Sequence, residues 1–191
     1  TKRFDYDYVG LNHLAWLTAI YADGREILQE QLDKGVEIPG MKNTPTIPYP
    51  PGMLRQIGGI PANYPSYFYF RDAHIRMCQE AEQCRGEVCS VLEKALLELY
   101  CDPKRREKPA LLDQRGGAYY SEAAVSLLDA IENDRNEFHV LNVQNRGAFH
   151  FMDEDDVVEV KCIVNRQGVT PVPLGSFDNQ HIIGLMRAVK A

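Results

Sequence analysis

The sequence predicts an α+β domain in which an antiparallel sheet is packed against helices. Strand-like segments at 138–144, 148–152 and 157–164 are joined by Asn145-Arg146-Gly147 and by the acidic turn 153–156, connections so short that only antiparallel neighbours can use them. Between residues 72 and 100, Val88, Val91, Leu92, Ala95, Leu96 and Leu99 recur at the spacing of one helix face. Helical spacing resumes over 180–191 through Ile182, Leu185, Met186 and Val189.

With 191 residues, of which 45% are hydrophobic and 25% charged, the chain has the composition of a single globular domain with a real core. A net charge of -6 argues against a nucleic-acid binder that relies on a basic surface, while leaving room for a local cationic pocket. The cysteines, Cys78, Cys84, Cys89, Cys101 and Cys162, are odd in number and lack paired C-x-x-C spacing, so they read as reduced thiols of a cytoplasmic protein. No apolar run approaches the roughly 20 residues of a membrane span and no signal peptide opens the chain. Thr1 is not an initiator methionine and Val189-Lys190-Ala191 ends inside a helical pattern; both ends read as cut.

In chain order, residues 4–9 alternate and predict a strand that leads into Val9-Gly10-Leu11-Asn12-His13-Leu14-Ala15-Trp16, the stretch around which the rest is organised. Asp23-Gly24 is a turn. Residues 25–34 predict a short polar helix with Ile27, Leu28 and Leu32 on its apolar side and Gly35 closing it. Pro39, Pro45, Pro48, Pro50 and Pro51 make 38–52 a rigid extended loop, since each proline lacks a donor and restrains the residue before it. The dense stretch 57–70 is an aromatic cluster, which ordinarily serves core or interface packing. Helix formers fill 72–100, with Gly86 as a start or a kink. Residues 104–108 form a basic, solvated loop, and a helix carrying Ala124, Leu127, Leu128 and Ile131 follows Arg115-Gly116-Gly117.

Each candidate site residue has a plain structural reading beside the chemical one. A histidine between leucines, such as His13, is more often a satisfied core residue, yet a neutral imidazole is also the commonest metal ligand once its other nitrogen has a partner, which Asn12 could supply. A tyrosine of the aromatic cluster could act as an acid or base, but a phenol with a pKa of about 10 needs a cation nearby to work near neutral pH. Arg85 is a surface arginine or a cation presented to an anion at a helix start. Arg115 precedes two glycines whose backbone amides could approach an anion, or simply enters a helix.

Gly10-Leu11-Asn12-His13-Leu14-Ala15-Trp16, Ile60-Pro61-Ala62-Asn63-Tyr64, Gln114-Arg115-Gly116-Gly117-Ala118-Tyr119-Tyr120-Ser121 and Asn142-Val143-Gln144-Asn145-Arg146-Gly147 occur in this order, and together the chain resembles glycoside hydrolase family 4, its 6-phospho-β-glucosidase branch above all. Val157-Val158-Glu159-Val160-Lys161-Cys162 extends the likeness. The resemblance implies an α+β domain akin to the C-terminal domain of lactate and malate dehydrogenases, so that residues 1–191 are the substrate- and metal-binding half of an enzyme whose N-terminal Rossmann domain, binding NAD, is absent. This chain has no Gly-rich βα turn for a dinucleotide, and NAD is not expected to bind it alone.

The resemblance further implies a glycosidase that departs from the two-carboxylate scheme. The sugar is oxidised at C3 with NAD, a divalent metal, usually Mn2+, stabilises the charge that then develops, a tyrosine removes the C2 proton, the aglycone leaves from C1, water adds and the hydride returns. His13 matches the metal ligand and Tyr64 the catalytic base; Arg85 matches a substrate-contacting arginine. Asn12 is assigned to the substrate side, as is Arg115, to which the resemblance gives no role and whose place at the site rim rests on its neighbouring glycines. The implied partners are a phosphorylated disaccharide or aryl glycoside, the chain's own nucleotide domain and a second copy in a homo-oligomer, with neither nucleic acid nor membrane.

Departures from the family pattern bear on these roles. The family's second metal ligand, a cysteine, and the acid that assists the leaving group precede the histidine motif, where only residues 1–9 stand here. Tyr64-Pro65-Ser66-Tyr67-Phe68 replaces the usual Tyr-Leu-Arg-Tyr-Tyr, and Lys161 stands where proline is common. Alternatives are a 6-phospho-α-glucosidase or galactosidase of the same family, a non-catalytic sugar-phosphate sensor or oligomerisation module, and a domain whose histidine and tyrosines only pack.

Overall fold

The structure, a computed structural model, describes residues 3–36, 38, 45–116 and 119–190. Its centre is a hairpin. β1 (Phe4–Leu11) and β2 (Leu14–Ala22) pair antiparallel from Phe4↔Ala22 to Leu11↔Leu14, so Asn12 and His13 alone connect them. Asn12 takes φ 54, a left-handed conformation that asparagine tolerates better than most residues. The turn expected at Asp23-Gly24 is present, with φ 52 and 82, the positive pair a tight hairpin requires. It folds β2 back onto the short β3 (Arg25–Glu26).

The remaining strands extend the sheet in the order β3-β2-β1-β6-β5, where β6 is Val157–Asn165 and β5 is Glu137–Gln144; β4 (Ile60–Pro61) adds to β2 and β7 (Gly168–Pro171) to β6. Each pairing is antiparallel, as the sequence predicts. Along β6, Val158, Val160, Cys162 and Val164 are buried in the core, and the alternation turns Glu159 and Lys161 to the opposite face. Backbone pairing between β1 and β6 covers Val9 and Gly10. Lys161 reinforces that seam by donating to Asp5 (3.0 Å) and to the Tyr6 carbonyl (2.8 Å). Its ammonium holds the Asp5 carboxyl below the usual carboxylate range.

Trp16, Phe149, Leu54, Ile182, Met186, Val158 and Val160 form the core between the sheet and the helices α1 (Leu28–Lys34), α2 (Pro51–Ile57) and α8 (Gln180–Lys190). Burying a side chain of this size contributes about 1.5–3 kcal/mol. The helix predicted over 180–191 is thus α8; Ala191 lies outside the described residues. Cys162 shares this core, and burial pushes its thiol up to about 11, far from a reactive thiolate.

Several expectations are corrected. Residues 148–152 are not a strand: they coil around Asn145, which is fully buried and donates to the carbonyls of Phe149 (3.0 Å), Met152 (3.1 Å) and Asp153 (3.1 Å) while accepting from the Phe149 amide (2.7 Å). A side chain has replaced the ladder, and β7 is the third strand of the meander. Residues 72–100 divide into α4 (Arg71–Glu80) and α5 (Arg85–Tyr100). The break falls where residues 81–84 are all exposed, and Glu87 accepts from the Cys84 amide (2.9 Å) to cap the new start. Within α5, Leu92 and Leu96 are buried as predicted, but Val91 is exposed.

The helix expected over 25–34 begins at Leu28, because Arg25 and Glu26 pair with β2 and the Glu26 carboxylate accepts from the Leu28 amide (2.7 Å). The proline loop ends at Pro50. Pro51 opens α2, a place where its preset φ suits a helix and its missing donor costs nothing; Pro39 lies outside the described residues. The helix after Arg115 is α7 (Tyr120–Glu132), with Ala130 buried and Leu127 and Ile131 half-buried, while Ala124 and Leu128 face outward.

Candidate active site

Strand register brings the histidine and the tyrosine together. In β4, Pro61 pairs with Trp16 and Ile60 with Leu17, and the Ala62 amide donates to the Ala15 carbonyl (2.8 Å). The chain therefore runs along β2 toward the hairpin tip and delivers Tyr64 there. The rings of His13 and Tyr64 meet edge to face, centroids 4.3 Å apart at 77°. His13 is exposed and Tyr64 half-buried. Gly10 makes the close approach: a Cβ on it would lie 2.6 Å from the Ala15 Cβ and 3.3 Å from the Glu159 Oε2.

His13 Nδ1 makes a short contact with Asn12 Oδ1. An amide oxygen only accepts, so with Nδ1 as the donor in this contact Nε2 would be left with its lone pair, the tautomer suited to metal binding. In that arrangement Asn12 would orient His13 and keep its own amide NH2 for another acceptor. Among the described residues no group of three or more His, Cys, Asp or Glu is arranged to hold a metal ion. His13 alone would offer one ligand, not a site.

The sequence assigned no role to Glu159, yet it stands beside this corner. It pairs with Gly10 on one side and Asn142 on the other, and accepts from the Tyr8 hydroxyl (2.9 Å). Burial raises its carboxyl pKa, against hydrogen bonds from Tyr8 and Asn142 and the charge of His13. The available signal was a single acid within the apolar run Val157-Val158-Glu159-Val160. Ser66 and His74, behind Tyr64, were also passed over; both are buried and hydrogen-bonded to each other (3.1 Å). Because Ser66 opens the one-turn α3 (Ser66–Tyr69) and His74 lies on α4, in a segment of otherwise ordinary composition, only the fold reveals the pair.

Arg85 and Arg115 form a pairing of their own. Arg85, at the start of α5, donates through Nη2 to the carbonyls of Gln114 (3.2 Å) and Arg115 (2.8 Å), closing the end of α6 (Leu112–Arg115). Gly116 follows with φ 101. Gly117, the second glycine of the proposed anion-approach turn, lies outside the described residues.

Residues 8–191 match the model of the family 4 glycosyl hydrolase C-terminal domain. The chain belongs to this family. The family 4 domain is 33% identical over 196 residues to the probable 6-phospho-beta-glucosidase of Bacillus subtilis, covering 99% of this chain and 44% of the relative. It is 33% identical over 193 residues to the 6-phospho-beta-glucosidase of Escherichia coli, covering 96% and 42%. A solved structure of the Thermotoga maritima 6-phospho-beta glucosidase with manganese, NAD+ and glucose-6-phosphate superposes with a TM-score of 0.78 at 25% identity, over 98% of this chain and 43% of that one. The family 4 domain thus spans less than half the length of the relatives it matches.

Proposed function

We propose that this domain is the substrate- and metal-binding half of an NAD- and divalent-metal-dependent 6-phospho-β-glucosidase, completed by an N-terminal nucleotide-binding half. The observation that carries the reading is the contact between His13 and Tyr64 at 4.3 Å, a metal-type imidazole beside a phenol. The lengths of the relatives and the manganese, NAD+ and glucose-6-phosphate of the Thermotoga protein support it. The chemistry that NAD and the metal supply when bound is a reversible oxidation of the sugar and a positive field at the reacting carbons.

The chain's own residues then have distinct tasks. His13 presents Nε2 as one metal ligand, held in that tautomer by Asn12. Tyr64 holds and moves the proton at C2 of the sugar, since a cation on the neighbouring imidazole favours its phenolate. The Asn12 amide nitrogen donates to a sugar hydroxyl. Arg85 and Arg115 are the substrate-side cations, Arg85 fixing the end of α6 that carries Arg115. The remaining metal ligand and the leaving-group acid come from the N-terminal half. Exposed apolar side chains on α5 and α7, among them Val91, Tyr120, Val125 and Leu128, support further contacts with that half or with a second copy. A phosphorylated substrate suits a cytoplasmic enzyme, and among the described residues no helix is long and apolar enough to cross a membrane.

The test is Tyr64→Phe in the complete protein, assayed with NAD, Mn2+ and matched α and β aryl 6-phosphoglucosides. The parent is expected to cleave the β substrate, and the variant to lose about 10²–10⁴ in kcat, the range for a positioned base. A variant as fast as the parent overturns the base assignment, and a parent that cleaves only the α substrate overturns the specificity.

A further inference from the structure

We propose that His74 and Ser66 are positioning residues that set the pose of Tyr64, an inference that rests on Tyr64 being the base. Tyr64 sits in a tight turn, where the Ser66 amide donates to the Asn63 carbonyl (3.2 Å) and the Tyr67 amide to the Tyr64 carbonyl (3.0 Å). The Ser66 hydroxyl also donates to the Asn63 carbonyl (2.7 Å). A hydroxyl has one hydrogen, so the 3.1 Å contact between Ser66 Oγ and His74 Nε2 is a donation from the imidazole. His74 projects from α4 and is 4% exposed, as is Ser66.

A second route reaches the same tyrosine. The His74 ring stacks on Tyr67 with centroids 4.1 Å apart, and Tyr67 stacks on Tyr64 at 6.4 Å. From His74, one path thus runs through Ser66 to the backbone before Tyr64, and another through Tyr67 to its ring. The backbone before Tyr64 and one contact of its ring are both tied to α4. Proline at 65, buried in the same turn, restricts the φ that the brace must hold. The Ser66 and Pro65 departures from the family pattern therefore act together: with arginine and leucine replaced, this chain holds its tyrosine by a serine-histidine link.

The experiment uses the complete protein and an aryl 6-phospho-β-glucoside, with and without deuterium at C2. His74→Phe keeps a ring against Tyr67 and removes the donor; Ser66→Ala removes the same link from the other end. His74→Gln restores an N–H near the position of Nε2. Each of the first two is expected to lower kcat by about tenfold to a hundredfold, the scale for a reacting group displaced by up to an ångström, with little change in KM and a larger C2 isotope effect. His74→Gln is expected to recover most of the loss. Unchanged kcat and isotope effect in Ser66→Ala, or a Gln variant as slow as the Phe variant, would overturn the proposal. Should His74→Phe not fold, Ser66→Ala decides alone. Tyr64→Phe run alongside separates the failures: if it is inactive while Ser66→Ala is unimpaired, only the positioning claim falls, and if it is fully active the base assignment falls first.

Discussion

Asn145 shows how much one polar side chain can organise. Fully buried, it satisfies the carbonyls of Phe149, Met152 and Asp153 and the Phe149 amide, and so converts a strand-like sequence into a coil that seats Phe149 and Phe151 in the core. Asn145→Ala strands several buried backbone groups at about 1–3 kcal/mol each; a loss of about 3 kcal/mol or more is expected in urea unfolding. Lys161, where the family resemblance suggests proline, has a milder role. Its Asp5 partner is half in water, so Lys161→Met is expected to cost under about 1 kcal/mol at neutral pH. Because the Asp5 pKa is lowered in the fold, the stabilisation from this pair is present above the unfolded carboxylate value and lost as pH falls through the folded one. Parent and variant are therefore expected to converge in stability below about pH 4.

At the scale of elements, the β1–β2 hairpin decides the site. Only glycine fits at position 10, against Ala15 and under Glu159. Gly10→Ala forces the two strands or the Glu159 side chain apart, at about 1–3 kcal/mol for such overpacking; a lower thermal midpoint together with weakened metal-dependent activity in the complete protein is the expected result. α5, β6 and α8 were legible because each has one buried face, which imposes a period on its sequence. β2 was not, since Ala15 and Trp16 are buried in succession and the two-sided burial erases the alternation. The split between α4 and α5 was hidden for the opposite reason: four exposed polar or small residues leave no apolar mark by which a helix and its interruption differ.

For the whole molecule, acid stability offers a reading on the brace behind Tyr64. Burial against Ser66 and Tyr67 lowers the His74 pKa below its ordinary value. The folded state then resists a proton that the unfolded chain accepts, so stability is full above the unfolded value of about 6.5 and is lost as pH falls below it. Urea midpoints are expected to drop between pH 7.5 and pH 5.5, and the drop to be smaller in His74→Gln; an identical drop in both would show that other groups carry it. At this scale too, the exposed apolar positions of α5 and α7 mark surface that the predicted helix stripes placed inside.

The sequence by itself determined the fold class and the family, and it singled out His13 and Tyr64 as the residues to propose for the site, because periodic burial and a series of ordered motifs are written locally, residue after residue. What only the tertiary structure decided is adjacency. Residues 13 and 64 meet because β4 pairs with β2 in one register, Arg85 meets Arg115 because two helix ends converge, and Glu159, Ser66 and His74 reach the corner around His13 and Tyr64 across strands and turns distant in sequence. Such contacts depend on register and on side-chain hydrogen bonds that satisfy buried groups, and neither leaves a local pattern to read.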